Sequence, residues 1–227
     1  LQAAARALLL RHASLRAAFV HHKVKAPVQV IQRAPQLPWQ DLDLSAAPDP
    51  EAALKAEIAR DYEQRFDLAR APLLRFTLIR MAPERHMLIF TSHHILMDGW
   101  STPILLNELF TLYDRDAETS GLPHVTPWRD YVKWLAGRDD AAARAAWQDA
   151  FAGFEEPARI APAASEGAVP QVMHHPIPGA LIDRMQDRAR ELGVTMNTLA
   201  QAAWGLVLGH VTHRHDVAFG SIVSGRP

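Results

Sequence analysis

Cysteine is absent from the 227 residues, which removes disulfides, thiolate nucleophiles and Cys-ligated zinc or iron–sulfur centres in one step. Neither sign of charge is in excess. With 24 Lys+Arg against 25 Asp+Glu, the formal net charge is -1, so no general attraction to nucleic acid or anionic lipid is encoded. No apolar run approaches the roughly 18 residues a spanning helix needs, and the opening Leu1-Gln2-Ala3-Ala4 has no signal-peptide pattern. Internal repeats and low-complexity tracts are also missing. These absences predict a soluble, cytoplasmic protein with neither nucleic acid nor membrane as partner. Apolar material is plentiful, at 48% hydrophobic residues against 22% charged, which is enough for a sizeable core and far from the signature of disorder. At about 100–200 residues per domain, the length allows one large domain or two lobes.

Local patterns predict an alternation of helices and strands. The Ala/Leu-rich opening reads as a helix already under way at residue 1. Short apolar or alternating runs at 17–22 and 28–33 flank Lys23-Val24-Lys25-Ala26-Pro27 as a hairpin would, and Pro35, Pro38, Pro48 and Pro50 mark an irregular connection. Asp49-Pro50-Glu51 supplies an N-cap, a first-turn proline and a dipole-friendly acid for an amphipathic helix whose face is Leu54, Ile58, Tyr62 and Phe66. Runs at 73–81 and 85–92 read as adjacent strands joined by Ala82-Pro83-Glu84. Ser101-Thr102-Pro103 reads as the cap of a helix with Leu105, Leu109, Leu112 and Tyr113 on one face. Helices are also predicted at 128–136, 141–154, 181–192 and 196–210, the last capped by Thr195, and strands at 171–177 and 217–223. The Pro/Ala/Gly/Ser-rich stretch 155–170 is the best linker.

Between the second strand of the pair and its following helix lies the densest group of ionisable side chains, His93-His94-Ile95-Leu96-Met97-Asp98-Gly99-Trp100. Two histidines, an acid and a glycine at a strand-to-helix turn offer a neutral base, a fixed anion and a backbone that a reactant can approach closely. The pairs His21/His22 and His174/His175 lack such surroundings, and His213 and His215 read as surface or structural. A His93/His94/Asp98 metal set is the competing chemistry, but adjacent residues rarely aim both side chains at one ion, so no metal is expected.

At these residues the chain resembles the condensation domains of nonribosomal peptide synthetases. RHASLRAAF at 11–19 looks like the family's second motif, SHHILMDGWS at 92–101 its third, with the active-site HHxxxDG, and WRDYVKW at 128–134 its fourth. Phe66-Asp67-Leu68, Pro72-Leu73-Leu74-Arg75 and the closing 216–227 also match in order. The resemblance implies a chloramphenicol-acetyltransferase-like α/β fold, a mixed sheet with flanking helices in two lobes of a pseudo-dimer. It further implies an N-terminal lobe at 1–156, a linker at 157–170 and a partial C-terminal lobe at 171–227, with further motifs expected before residue 1 and after Pro227.

The implied activity is acyltransferase-type: an amide forms between an upstream carrier-bound aminoacyl or peptidyl thioester and the amine of a downstream carrier-bound aminoacyl group. The implied partners are upstream and downstream peptidyl carrier proteins and an adjacent adenylation domain. No cofactor is expected on the domain itself, because substrates arrive on phosphopantetheine arms. By the same resemblance His94 takes or steers the amine proton or acts purely by positioning, His93 braces the loop, and Gly99 admits the acceptor or serves only the turn. Asp98 is either a second catalytic carboxylate or, as the preferred reading, a structural anion paired with Arg16, with Arg11 as second choice, and Trp100 lines the tunnel or joins the core. Tyr131, Trp134, Met87 and Phe90 read as core. Met97 and the run GWSTPIL resemble the subtype that takes a D-configured donor. A non-catalytic carrier-docking module and an epimerisation-type domain, which shares HHxxxDG, are the alternatives.

Overall fold

The computed structural model describes residues 1–154, 159–161 and 172–222. It divides into two compact units, Leu1–Arg138 and Asp139–Pro227. The first begins with α1 (Gln2–Arg11), followed by a 3-10 turn, Ala13–Arg16, and strands β1 (Ala17–Val20) and β2 (Val28–Ile31). The expected hairpin forms: β1 and β2 pair antiparallel with Val20 opposite Val28, and Lys23 takes a left-handed φ of 57° in the connection.

The proline-marked connection contains a strand that sequence reasoning did not assign, β3 (Trp39–Asp43). Alternation is weak there, and the strand exists because its backbone pairs in parallel with β4 (Leu74–Ala82). Between them lies α2 (Pro50–Glu63), whose Asp49 side chain accepts from Ala52 N as an N-cap. β4 then pairs antiparallel with β5 (Arg85–Ser92), giving a mixed sheet of order β3-β4-β5. The buried face of α2 differs from expectation. Leu54 is buried, but Ile58 and Tyr62 are exposed, Phe66 lies beyond the helix end, and Asp61 is only 7% exposed. Polar partners waiting on the sheet explain the difference, as described below.

From β5 the chain crosses a loop into α3 (Ser101–Asp114), and α4 (Trp128–Ala136) ends the unit. The core is Ala4, Ala5, Leu8 and Leu9 of α1 with Leu105, Leu109 and Leu112 of α3, closed by Leu73 just before β4 and by Leu74 and Phe76 within it. The apolar stripes on α1 and α3 therefore bury each other. Tyr113, Met87, Trp134 and Trp100 are exposed where core positions were expected, whereas Phe90 is half-buried and stacks on Phe76 with ring centroids 4.8 Å apart.

The second unit carries α5 (Asp140–Ala150), α6 (Gly179–Leu192) and α7 (Met196–Thr212). Thr195 caps α7 by accepting from Thr198 N at 3.1 Å. Gly193 ends α6 at φ 65°, the left-handed conformation that glycine adopts without steric cost. Neither strand expected in this unit forms among the described residues, since 172–177 and 217–222 carry no regular secondary structure. Alternation alone does not make a strand when no partner edge is present. Most of the linker, 155–158 and 162–170, and the closing 223–227 lie outside the described residues. Among the described residues no helix is long and apolar enough to cross a membrane.

Candidate active site

The loop 93–100 is built as a continuation of the sheet. His93 N donates to Leu73 O at 2.9 Å, one step past the Leu74–Ser92 pair, so the β4–β5 ladder carries its order into the first residue of the motif. A turn follows at once. Leu96 N donates to His93 O at 3.1 Å, and Ile95 N donates to His93 Nδ1 at 3.1 Å. Leu96 and Met97 then drop into the core shared by α1, α3 and the sheet. Anchored at both ends, the loop leaves His94, Ile95, Gly99 and Trp100 exposed.

The two histidines therefore have different environments. His93 is half-buried, with Nδ1 engaged as an acceptor and its ring edge-on to Phe66 at 6.4 Å and 79°. A neutral His93 then carries its proton on Nε2. His94 is exposed, and its imidazole makes no hydrogen bond among the described residues. Both of its nitrogens are open to a reactant.

Asp98 works at the start of α3. Its Oδ1 accepts from Ser101 N at 2.9 Å and from Ser101 Oγ at 2.6 Å, satisfying a first-turn N–H and placing negative charge at the positive end of the helix. This corrects the expected cap: Ser101 receives the capping interaction and does not supply it. The expected Arg16–Asp98 pair is also replaced. Arg16 Nη1 donates to Gln32 O at 2.6 Å and Arg33 O at 2.8 Å, and its Nε is buried without a partner among the described residues. The guanidinium ties the 3-10 turn to the end of β2. Arg11, the second choice, pairs with Glu108 and also donates to Pro123 O. A Cβ on Gly99 would meet nothing within 4 Å, and its φ is not in the left-handed region. The chain itself does not require glycine there. Trp100 is 67% exposed. Among the described residues no three His, Asp or Glu side chains gather as a metal site.

Two polar clusters behind the loop were not singled out from the sequence. Glu108 of α3 receives Arg11 and, at 2.9 Å, His12 Nε2, which locks α3 to the end of α1. Asp61 of α2 accepts from Arg75 Nε at 2.6 Å and Thr91 Oγ1 at 2.5 Å, and its carbonyl accepts from Arg75 Nη2 at 2.5 Å. Burial alone would raise the Asp61 pKa. The hydrogen bonds from Arg75 and Thr91 and the charges of Arg75 and Arg60 outweigh burial and hold it below the usual carboxylate value. The available signal was an acid breaking the apolar face of α2, but its partners lie 14 and 30 residues away.

A family model described as Condensation domain matches residues 1–227. The chain belongs to the condensation-domain family. A linear gramicidin synthase of Brevibacillus parabrevis is 36% identical over 228 residues, covering 97% of this chain. The chain spans 4% of that relative's length. Among solved structures, the first condensation domain of a calcium-dependent antibiotic synthetase superposes with a TM-score of 0.68 at 20% identity, over 97% of this chain and 57% of that one. A mutant starter condensation domain of rhizomide synthetase, in complex with C8-CoA and Leu-SNAC, has a TM-score of 0.59 at 26% identity over 72% of this chain and 39% of its own. The α/β fold with a mixed sheet and flanking helices is thus the chloramphenicol-acetyltransferase-like fold of condensation domains. In this condensation domain the HHxxxDG segment is the loop that β5 hands to α3.

Proposed function

We propose that this condensation domain forms amides between carrier-bound substrates in nonribosomal peptide synthesis. The amine nitrogen of the downstream aminoacyl group attacks the carbonyl carbon of the upstream thioester. The C–N bond forms, the C–S bond breaks, the amine proton passes to His94, and His94 returns a proton to the departing sulfur. A thioester is already activated, so positioning, proton handling and exclusion of water supply the catalysis and no resident cofactor is required.

The observation that carries this reading is the exposed His94 imidazole, without an intramolecular partner among the described residues, on a loop fastened by His93 N–Leu73 O and by Leu96 and Met97. His93, with Nδ1 bound to Ile95 N, braces the turn. Asp98 holds the start of α3 through Ser101 and is a structural anion in this reading. Open space over Gly99 suits close approach of the acceptor. The exposed Trp100 lines the substrate path. The rhizomide relative's complex with C8-CoA and Leu-SNAC supports a donor and an acceptor meeting on this fold.

The partners are then upstream and downstream peptidyl carrier proteins, whose phosphopantetheine arms deliver the substrates, and an adenylation domain of the same synthetase. In this reading residues 1–156 act as the N-terminal lobe, so that α5 serves that lobe although it groups with the second compact unit, with 157–170 as linker and 171–227 as part of the C-terminal lobe. Met97 and GWSTPIL support a D-configured donor, and the check is the ratio of rates with D- and L-configured donor thioesters. The central test is His94→Ala in the full protein with loaded carriers. Amide formation should fall about 10²–10⁴-fold, as for loss of a general base, with hydrogen exchange at the β4 and β5 amides unchanged because the side chain is exposed. A rate equal to that of the unsubstituted protein would remove His94 from the mechanism, and carrier binding without any amide product would favour a docking module.

A further inference from the structure

The Asp61 cluster reaches the motif through a path of direct contacts. Arg75 and Thr91 stand opposite each other across β4 and β5, and the Asp61 carboxylate bridges this cross-strand pair. Thr91 and His93 are two residues apart, so they share one face of the extended chain, and the bond from His93 N to Leu73 O continues the ladder between them. Phe66 covers that face. The Arg75 guanidinium carbon lies 4.5 Å from its ring centroid, and the His93 ring stands nearly perpendicular to it in a T-shaped contact. Arg75 and Asp61 are almost withdrawn from water, with side chains 12% and 9% exposed, a setting in which charge-assisted hydrogen bonds and a cation–π contact are strong and directional.

Each contact restricts the next. Asp61 takes Arg75 by its side-chain and backbone oxygens together, which sets the guanidinium plane. That plane fixes Phe66, and Phe66 limits the swing of His93. The only hydrogen bond the His93 ring makes among the described residues, from Ile95 N, sets the turn that carries His94. We propose that Asp61, Arg75 and Phe66 are positioning residues that hold His93, and through it the loop bearing His94, in register for the reaction. The inference rests on the amide-forming reading for its effect on rate, but the coupling to His93 stands or falls on its own.

The test combines two measurements on the full protein. The imidazole resonances of His93, assigned by their loss in His93→Gln, report its tautomer and the ring current of Phe66. In Phe66→Leu and in Asp61→Asn these resonances should move, while kcat for amide formation falls about tenfold and KM for both substrates stays within about twofold, as expected of misplacement without lost binding. Phe66→Tyr, which keeps the ring, should restore both. Thr91→Val keeps the shape of the side chain and supplies the same test if Asp61→Asn does not fold. Unmoved His93 resonances in folded Phe66→Leu and Asp61→Asn would overturn the proposal whatever the rates. Moved resonances with an unchanged kcat would overturn the positioning role. If the unsubstituted protein forms no amide, the reaction assignment fails, and the resonances still decide whether Asp61 and Phe66 hold His93.

Discussion

Glu108→Gln tests whether α3 is locked to α1 by charge as well as by packing. Glu108 has one carboxylate oxygen on Arg11 and the other on His12 Nε2, and the three side chains are 15–18% exposed. Glutamine keeps one acceptor, loses the charge, and turns an amide N–H₂ toward His12. Hydrogen bonds to charged groups contribute about 1.5–3 kcal/mol each in stability. One such bond weakened and one lost, with residual solvent screening, gives an expected cost of about 2 kcal/mol, a large share of the ~5–15 kcal/mol that holds a typical domain.

Because the chain forms two compact units, a single melting curve would mix their unfolding. Native-state hydrogen exchange at the amides of α1 and α3 isolates the effect, and the slowest of these should exchange about 30-fold faster, the rate equivalent of that energy. A cycle with Arg11→Gln should show a coupling of about 1 kcal/mol between the two positions. Exchange changed less than about twofold would mean that Leu105, Leu109 and Leu112 hold the helix pair by burial alone, and the assigned role of the clamp would be wrong.

Asp61 makes an acid-sensitivity prediction. Its pKa is lowered from 3.8 by folding, so its contribution is complete above that value and is lost as pH falls through the lower folded value. Asp61→Asn should remove this part of the acid dependence of exchange at β4 and β5. Equal slopes in both proteins below about pH 4 would contradict it. Gly99→Ala should leave stability within about 0.5 kcal/mol, since the added methyl meets nothing within 4 Å. It should nonetheless lower kcat/KM for the downstream, amine-bearing substrate, and an unchanged value in steady-state assays would show that the acceptor does not approach there.

Local chemistry was legible in the sequence because it is decided within a few residues. Asp49 caps α2, Thr195 caps α7, Ala17–Val20 turns back on Val28–Ile31, and the HHxxxDG segment sits where a strand must give way to a helix. Each depends on a neighbour's hydroxyl, carboxylate, φ angle or side-chain period. Tertiary structure decided which distant groups meet. β3 formed inside a proline-marked connection because β4 offered its edge, and residues 172–177 did not form a strand where no partner stood. Asp61 displaced Ile58 and Tyr62 from the buried face of α2 because Arg75 and Thr91 satisfied its carboxylate. Arg16 went to the carbonyls of Gln32 and Arg33, and Glu108 took Arg11 from 97 residues away. A side chain carries its charge and hydrogen-bonding capacity in the sequence, but the partner that offsets its desolvation is known only once the chain has closed on itself.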